Sequence, residues 1–170
     1  MRIISLLFFF IGLLESRAQT DKDIKAKDVP IEIRDQIIKS YPSVRRVRYF
    51  KEEINDTILY EAAFRYDESK YELIFLSNNQ LGSIKKQIEF QHIPEPVQKA
   101  VINELKSRYS NFSILKVKEI SNSLDLIYEI KTKLKTEKKS GFYEIFFNKN
   151  GQFILEQEEI LRTIPGNTGF

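Results

Sequence analysis

The sequence predicts an α+β fold of two tandem units, each a helix packed on an antiparallel sheet of about four strands. Three observations predict it. Residues 71–81 read YELIFLSNNQL and residues 143–153 read YEIFFNKNGQF, nearly the same eleven residues 72 positions apart. Two segments carry apolar residues every fourth position, the mark of a helix face. After each of them the apolar period drops to two, the mark of strands.

The chain opens MRIISLLFFFIGLLESRAQT. Arg2 gives a positive start, the stretch Ile3 to Leu14 is dominated by apolar residues, and Ser16 and Ala18 offer small residues for cleavage behind Ala18. That is the layout of a secretory signal over residues 1–18. The run is too short for a membrane anchor, which needs about 20 apolar residues. The remaining 152 residues have 25 basic and 23 acidic side chains, because Arg2, Arg17 and Glu15 leave with the signal. So mild an excess carries no polyanion signal. There is no cysteine, so the core must hold without disulfides, and a lipid-bearing cysteine is excluded. The expected location is the periplasm or the exterior, with no stable membrane anchor.

Residues 19–28, QTDKDIKAKD, read as a flexible leader. A first unit follows over 29–91. In VPIEIRDQIIKSYP, Ile33, Ile37 and Tyr41 are four apart with Ile38 beside them, Pro30 suits the first turn and Pro42 stops the helix. VRRVRYF, TILYEAAFRY, KYELIFL and part of LGSIKKQIEF read as its strands. The second unit covers 92–165. Val97, Val101, Leu105 and Tyr109 form its helix stripe behind Pro94 and Pro96. Its strands are FSILKVKEI, LDLIYEIKTKL, GFYEIFF and QFILEQEEIL. Asn150-Gly151 reads as a two-residue hairpin turn, with Asn78-Asn79 a weaker version in the matching place. A third Ile-Pro, at 164–165, closes the second unit as Ile93-Pro94 closes the first, and residues 166–170 form a tail.

The paired motifs are Val29-Pro30 with Ile93-Pro94, Tyr60-Glu61 with Tyr128-Glu129, and Tyr71-Glu72 with Tyr143-Glu144. Their offsets of 64, 68 and 72 place small length changes in loops, and since a unit of about 65 residues is marginal alone, the two side by side are expected to share an interface or a continuous sheet. With Tyr41-Pro42, Tyr49, Ala62 and Phe64, the pattern resembles the PepSY-like, beta-lactamase-inhibitor-like family of exported bacterial proteins, over about residues 29–165. Tyr49 stands where tryptophan is common there. Ser110 replaces a proline at the second helix end, and Val117 replaces an aromatic. These are packing positions. The resemblance implies that the two sheets share one concave surface and that the role is binding or inhibition. It carries over no inhibitory contact.

The chemistry-bearing residues are sparse. His92 is the only histidine, and alone it builds neither a zinc site nor a catalytic triad. Glu61, Glu72, Glu129 and Glu144 recur at matched places and read as polar positions of alternating strands, each beside a basic neighbour. The acidic stretch 52–57, EEINDT, lacks the spaced ligands and glycine of a calcium loop. The lysine-rich stretch 131–141 reads as a charged hairpin that resists edge pairing. Nothing in the sequence calls for a cofactor, a metal, nucleic acid or catalysis.

The faces of the strands say more. In TILYEAAFRY, Ile58, Tyr60, Ala62 and Phe64 share the more apolar side and belong under the helix. Glu61 and Arg65 lie opposite. Val47 and Tyr49 point inward, leaving Arg46, Arg48 and Phe50 outward. Lys116 and Lys118 are their outward counterparts, beside Glu129 and Lys131. GFYEIFF has Phe142, Glu144 and Phe146 on one side and Tyr143, Ile145 and Phe147 on the other, so it is expected to be covered on both sides or to bind something. The candidate partner-binding set is Arg46, Arg48, Phe50, Glu61, Arg65, Lys116, Lys118, Glu129, Lys131 and Phe146. The sequence points to a non-enzymatic binding module for an envelope or extracellular protein or peptide, with inhibition one form of that role. A small-molecule or lipid carrier with an aromatic-lined cavity is the alternative.

Overall fold

The structure is a computed structural model that describes residues 22–54, 56–135 and 140–158. The signal over 1–18, the Ile-Pro at 164–165 and the tail at 166–170 lie outside the described residues. Among the described residues nine strands form one antiparallel sheet in sequence order. They are β1 (Lys22–Ile24), β2 (Val47–Ile54), β3 (Thr57–Tyr66), β4 (Ser69–Phe75), β5 (Leu81–Ile88), β6 (Asn111–Ser121), β7 (Leu126–Lys135), β8 (Ser140–Asn148) and β9 (Phe153–Glu158). Among the described residues there are two α-helices, α1 (Ile31–Ser40) and α2 (Glu95–Arg108).

This corrects the expected fold class. The protein is mostly β, with one nine-stranded sheet in place of two sheets of about four strands. The physical reason is the edge: a short sheet ends in unpaired N–H and C=O groups, and continuing the ladder satisfies them. Period-two patterning reports that a segment is a strand and which side faces the core. It does not report where a sheet ends. The chain also divides into two compact units with the border between Ile84 and Lys85, inside β5, compared with the expected border at 91/92. Residues 22–28, read as a leader, form β1 and a 3-10 turn at Ala26–Asp28.

In the first unit, α1 follows Pro30 and lays down the stripe the spacing requires. Ile33 and Ile37 are completely buried, with Val29, Tyr49, Ala62, Phe64, Leu73 and Phe75 completing the core. Ile38 is off that stripe and 60% exposed, and Ile31 is exposed too. One residue along a helix is about 100° around it, so Ile38 cannot share the face of Ile37. Register fixes which strand residues meet the helix: Tyr49 pairs with Ala62 and Ala62 with Leu73 across β2, β3 and β4. Residues opposite one another in a ladder share a face.

In the second unit, Val97, Val101 and Leu105 of α2 are buried with Tyr109, Val117, Tyr128, Ile130, Leu134, Tyr143, Ile145 and Phe147. Ile114 and Val117 both belong with this core, which strict alternation forbids. The register shift between Ile114 and Lys116 resolves it: the bulge leaves Leu115 half exposed and resets the faces, so Lys116 and Lys118 point away from α2.

The two similar elevens both make a three-residue loop. Asn79 donates its N–H to the Leu76 carbonyl and Leu76 donates to Gln80. Gly151 donates to Asn148 and Asn148 donates to Gln152. Asn79 and Gly151 are the left-handed residues, at φ 62° and 79°. The two-residue turn expected at Asn150-Gly151 is therefore a three-residue turn, since a primed two-residue turn needs positive φ at both positions. The β3–β4 hairpin has that primed form, with Asp67 and Glu68 at φ 46° and 63°. Among the described residues no helix is long and apolar enough to cross a membrane.

Candidate functional site, a basic groove on the first unit

The most distinctive surface of the first unit is built where α1 ends. Pro42 follows the helix, and Tyr41 closes its last turn by donating its N–H to the Ile37 carbonyl at 2.8 Å. The Tyr41 ring then packs edge-on against Phe64 at 4.9 Å and Tyr66 at 5.2 Å, while Phe64 stacks on Tyr71 at 5.7 Å. Such pairs add about 0.5–1.5 kcal/mol each beyond their burial. The rings fix the connection from α1 to β2 over the ends of β3 and β4. That connection carries Ser43, Arg45 and Arg46.

Next to it the sheet contributes more cations. Arg48 lies opposite Ala63, which lies opposite Glu72, on the side away from α1. Arg65 lies directly opposite Lys70. Together these residues border an open groove of about 820 Å³ in which Arg45, Arg46, Arg48, Arg65 and Lys70 meet one carboxylate, Glu72. All five cations are exposed. The local excess of charge is larger than the +3 of the whole chain, so the basic character of this protein is concentrated here.

Three members of the expected set, Arg46, Arg48 and Arg65, line this groove. Phe50 sits beside it, with the Arg48 guanidinium 4.9 Å from its ring centre. Glu61 lies opposite Phe50 on the same side of the sheet. Arg48 also pairs with Asp23 of β1 at 3.1 Å, and both side chains are well exposed. Sequence reasoning did not single out Arg45, Lys70 or Asp23. The hairpin register that brings Arg65 and Lys70 together was the signal available, because the two flank Asp67-Glu68 symmetrically.

The second-unit members are placed differently. Lys116 lies opposite Lys131, and Lys131 lies opposite Glu144 on its other side. Lys118 and Glu129 are cross-strand partners, 3.6 Å apart and buried, with side chains 9% and 6% exposed. Phe146, opposite Glu129, is 1% exposed. Phe142 and Glu144, on the same side of β8 as Phe146, are only half-buried, whereas Lys118, Glu129 and Phe146 are not surface a partner reaches in the folded chain. His92 is exposed in the 3-10 turn before α2. Among the described residues no group of three or more His, Cys, Asp or Glu could hold a metal ion.

No family model matches the chain, and no curated protein matches it. Solved structures do. A BLIP-like protein from Bacteroides fragilis superposes with a TM-score of 0.56 at 17% identity, over 83% of this chain and 92% of that one. A DUF2874 family protein from Bacteroides ovatus gives 0.60 at 16% identity, over 76% and 86%. A protein from Bacteroides eggerthii, provisionally described as periplasmic, gives 0.61 at 16% identity, over 76% and 88%. At these identities the likeness is one of fold: this chain has a BLIP-like fold.

Proposed function

We propose that this chain is an exported, non-enzymatic binding protein that recognises a protein or peptide through the basic face of its first unit. The observation that carries this reading is the groove. Five cationic side chains in one place attract an anionic partner. The forked arginine donors and the adjacent Phe50 ring are the side-chain types that interfaces favour. A carrier needs an enclosed apolar cavity, and this groove is open and cationic. The likeness to a BLIP-like protein supports inhibition as the form the binding takes. Export after cleavage behind Ala18 belongs to the same reading, supported by the N-terminal pattern and by a structural neighbour provisionally described as periplasmic. So does descent from a duplicated PepSY-like ancestor, supported by the matched left-handed residues Asn79 and Gly151.

Cross-linking in the source cell envelope captures the partner, and titration then tests the face. Replacing Arg46, Arg48 and Phe50 together by Ser is expected to weaken that partner by at least about tenfold, or 1.4 kcal/mol, at matched salt. Equal affinities, with both proteins folded, remove this face. Mass spectrometry of the exported protein is expected to show a start near Gln19. Recovery of intact residues 1–18 in a membrane fraction overturns the export step.

A further inference from the structure

We propose that the groove on the first unit takes an acidic peptide segment, a run of Asp and Glu side chains on the partner, and that Asp23 of β1 competes for it. The proposal rests on the binding reading above and specifies its ligand. Three observations carry it.

The first is a juxtaposition the fold does not need. Arg65 and Lys70 stand directly opposite one another in the β3–β4 ladder, and like charges at that spacing repel. Among the described residues Arg45, Arg46 and Lys70 have no carboxylate partner, while Arg65 gives one bond to the Glu68 carbonyl at 3.4 Å. A ligand that brings carboxylates between these cations removes the repulsion.

The second is that the site already shows which anion it accepts. The Asp23 carboxylate receives a hydrogen bond from Arg48 Nη2 at 3.1 Å, from a strand only three residues long. A carboxylate of the chain itself thus occupies one corner of the cluster and leaves the rest open.

The third is shape. The cations surround a recess with Phe64 and Tyr71 among its walls. A flat lipid surface touches protrusions, whereas a recess suits a narrow chain. Four of the five cations are arginine, whose planar fork matches a carboxylate with two parallel bonds.

The test is a fluorescence-anisotropy titration of a labelled ten-residue peptide of alternating Asp and Glu, against its Asn/Gln counterpart. The acidic peptide is expected to bind and the amide peptide to bind at least tenfold more weakly. The variant Arg46→Ser/Lys70→Ser is expected to lose at least tenfold. The control Lys106→Ser/Lys133→Ser, with the same change in net charge on exposed sites elsewhere, is expected to lose less than twofold. Asp23→Asn is expected to raise affinity by up to about fivefold, the worth of one exposed ion pair. All four residues replaced in the first two pairs are exposed, and an unchanged thermal transition confirms folding.

Equal losses in the groove variant and the control reduce the effect to net charge and overturn the proposal. Equal binding of the amide peptide overturns it too. Vesicles of phosphatidylglycerol bound more tightly than the peptide, in a groove-dependent way, replace the acidic segment with a membrane surface. If the captured envelope partner binds through the groove while the acidic peptide does not, the ligand chemistry is wrong and the binding reading stands. If the peptide binds and partner capture ignores the groove, the converse holds.

Discussion

A methyl group on Gly151 would meet the Cβ of Ala100 at 2.6 Å. Gly151 is buried under α2 and left-handed at φ 79°, so glycine is required twice over at one position. The hairpin between β8 and β9 approaches the helix backbone as closely as it can. Gly151→Ala is expected to cost about 1–2 kcal/mol for the left-handed backbone and about 1–3 kcal/mol for the overlap. Chemical denaturation measures the sum. Ala100→Gly in the same background should return part of the overlap cost and none of the backbone cost. A single mutant with an unchanged midpoint would show that the helix shifts away freely.

The first unit uses the same left-handed position differently. Gln36 of α1 donates to the Asn79 carbonyl at 3.0 Å, so a hydrogen bond docks the hairpin where the second unit uses close packing. Gln36→Ala is expected to lower stability by about 0.5–1.5 kcal/mol, the net worth of one hydrogen bond. A loss beyond about 3 kcal/mol would mean that Gln36 also fills core volume.

The hairpin joining β3 and β4 stores strain. Asp67 tolerates positive φ well, but Glu68 at φ 63° has no such tolerance. Glu68→Gly is expected to stabilise by up to about 1 kcal/mol, since the primed turn favours glycine there. The Arg65 bond goes to the Glu68 backbone carbonyl, so the substitution leaves it in place. Loss of stability would show that the Glu68 side chain contributes something the geometry does not reveal.

Period and spacing made the elements legible. The stripes Ile33–Ile37 and Val97–Val101–Leu105 are the buried faces of α1 and α2, and TILYEAAFRY is β3 residue for residue. The continuous sheet was legible only as one option beside a shared interface, because backbone pairing at a sheet's edge leaves no mark on side-chain alternation. β1 was hidden for a related reason: KDI is three residues inside a charged stretch, too short for any period. Three of the groove's five cations were legible, since Arg46 and Arg48 alternate with the inward Val47 and Tyr49, and Arg65 lies opposite the apolar side of β3. Lys70 and Arg45 join it only through the β3–β4 register and the aromatic clamp on Tyr41. Core depth was also beyond reach. Tyr60 and Tyr128 occupy matched sequence positions, yet Tyr128 is 2% exposed and Tyr60 is half-buried at the margin of its core. Tyr128→Ala is accordingly expected to cost about 3–5 kcal/mol, and Tyr60→Ala less than that, by the same denaturation assay.

Tyr109 sets an alkaline limit on stability. Burial pushes its phenol well above the ordinary value of 10.0, and its hydrogen bond to the Glu156 carboxylate raises it further. The unfolded chain ionises near pH 10, while the folded chain holds the proton to higher pH. Between those values the unfolded state binds fewer protons, so stability is complete below pH 10 and falls as pH rises through the folded value. Tyr109→Phe loses the hydrogen bond to a charged acceptor, about 1.5–3 kcal/mol near neutrality. It should also flatten the decline above pH 10. Parallel slopes for both proteins would assign the decline to other tyrosines, of which Tyr41, Tyr49 and Tyr128 are also raised, chiefly by burial.

Lys118 and Glu129 give the sharpest separation between a paired charge and an exposed one. Both point away from α2, as the alternation of β6 and β7 requires, yet both are buried. Removing two charges from water costs several kcal/mol per ion, and their mutual attraction roughly offsets it. The pair is therefore expected to matter little as a pair and greatly when broken. Glu129→Ala removes the carboxylate beside the buried Lys118 ammonium and is expected to cost about 3–5 kcal/mol. Replacing both, Lys118→Met with Glu129→Leu, keeps the volume beside Phe146 and removes both desolvation terms. That double variant is expected to be as stable as the parent or more so, with a midpoint above that of Glu129→Ala. If the double variant is as damaged as the single one, the volume or the further contacts of Lys118 hold this region together, and the ion pair is incidental. Exposed Arg48 and Asp23 give the contrast. Their pair is exchangeable with solvent, and breaking it with Asp23→Asn is expected to cost less than about 1 kcal/mol of stability.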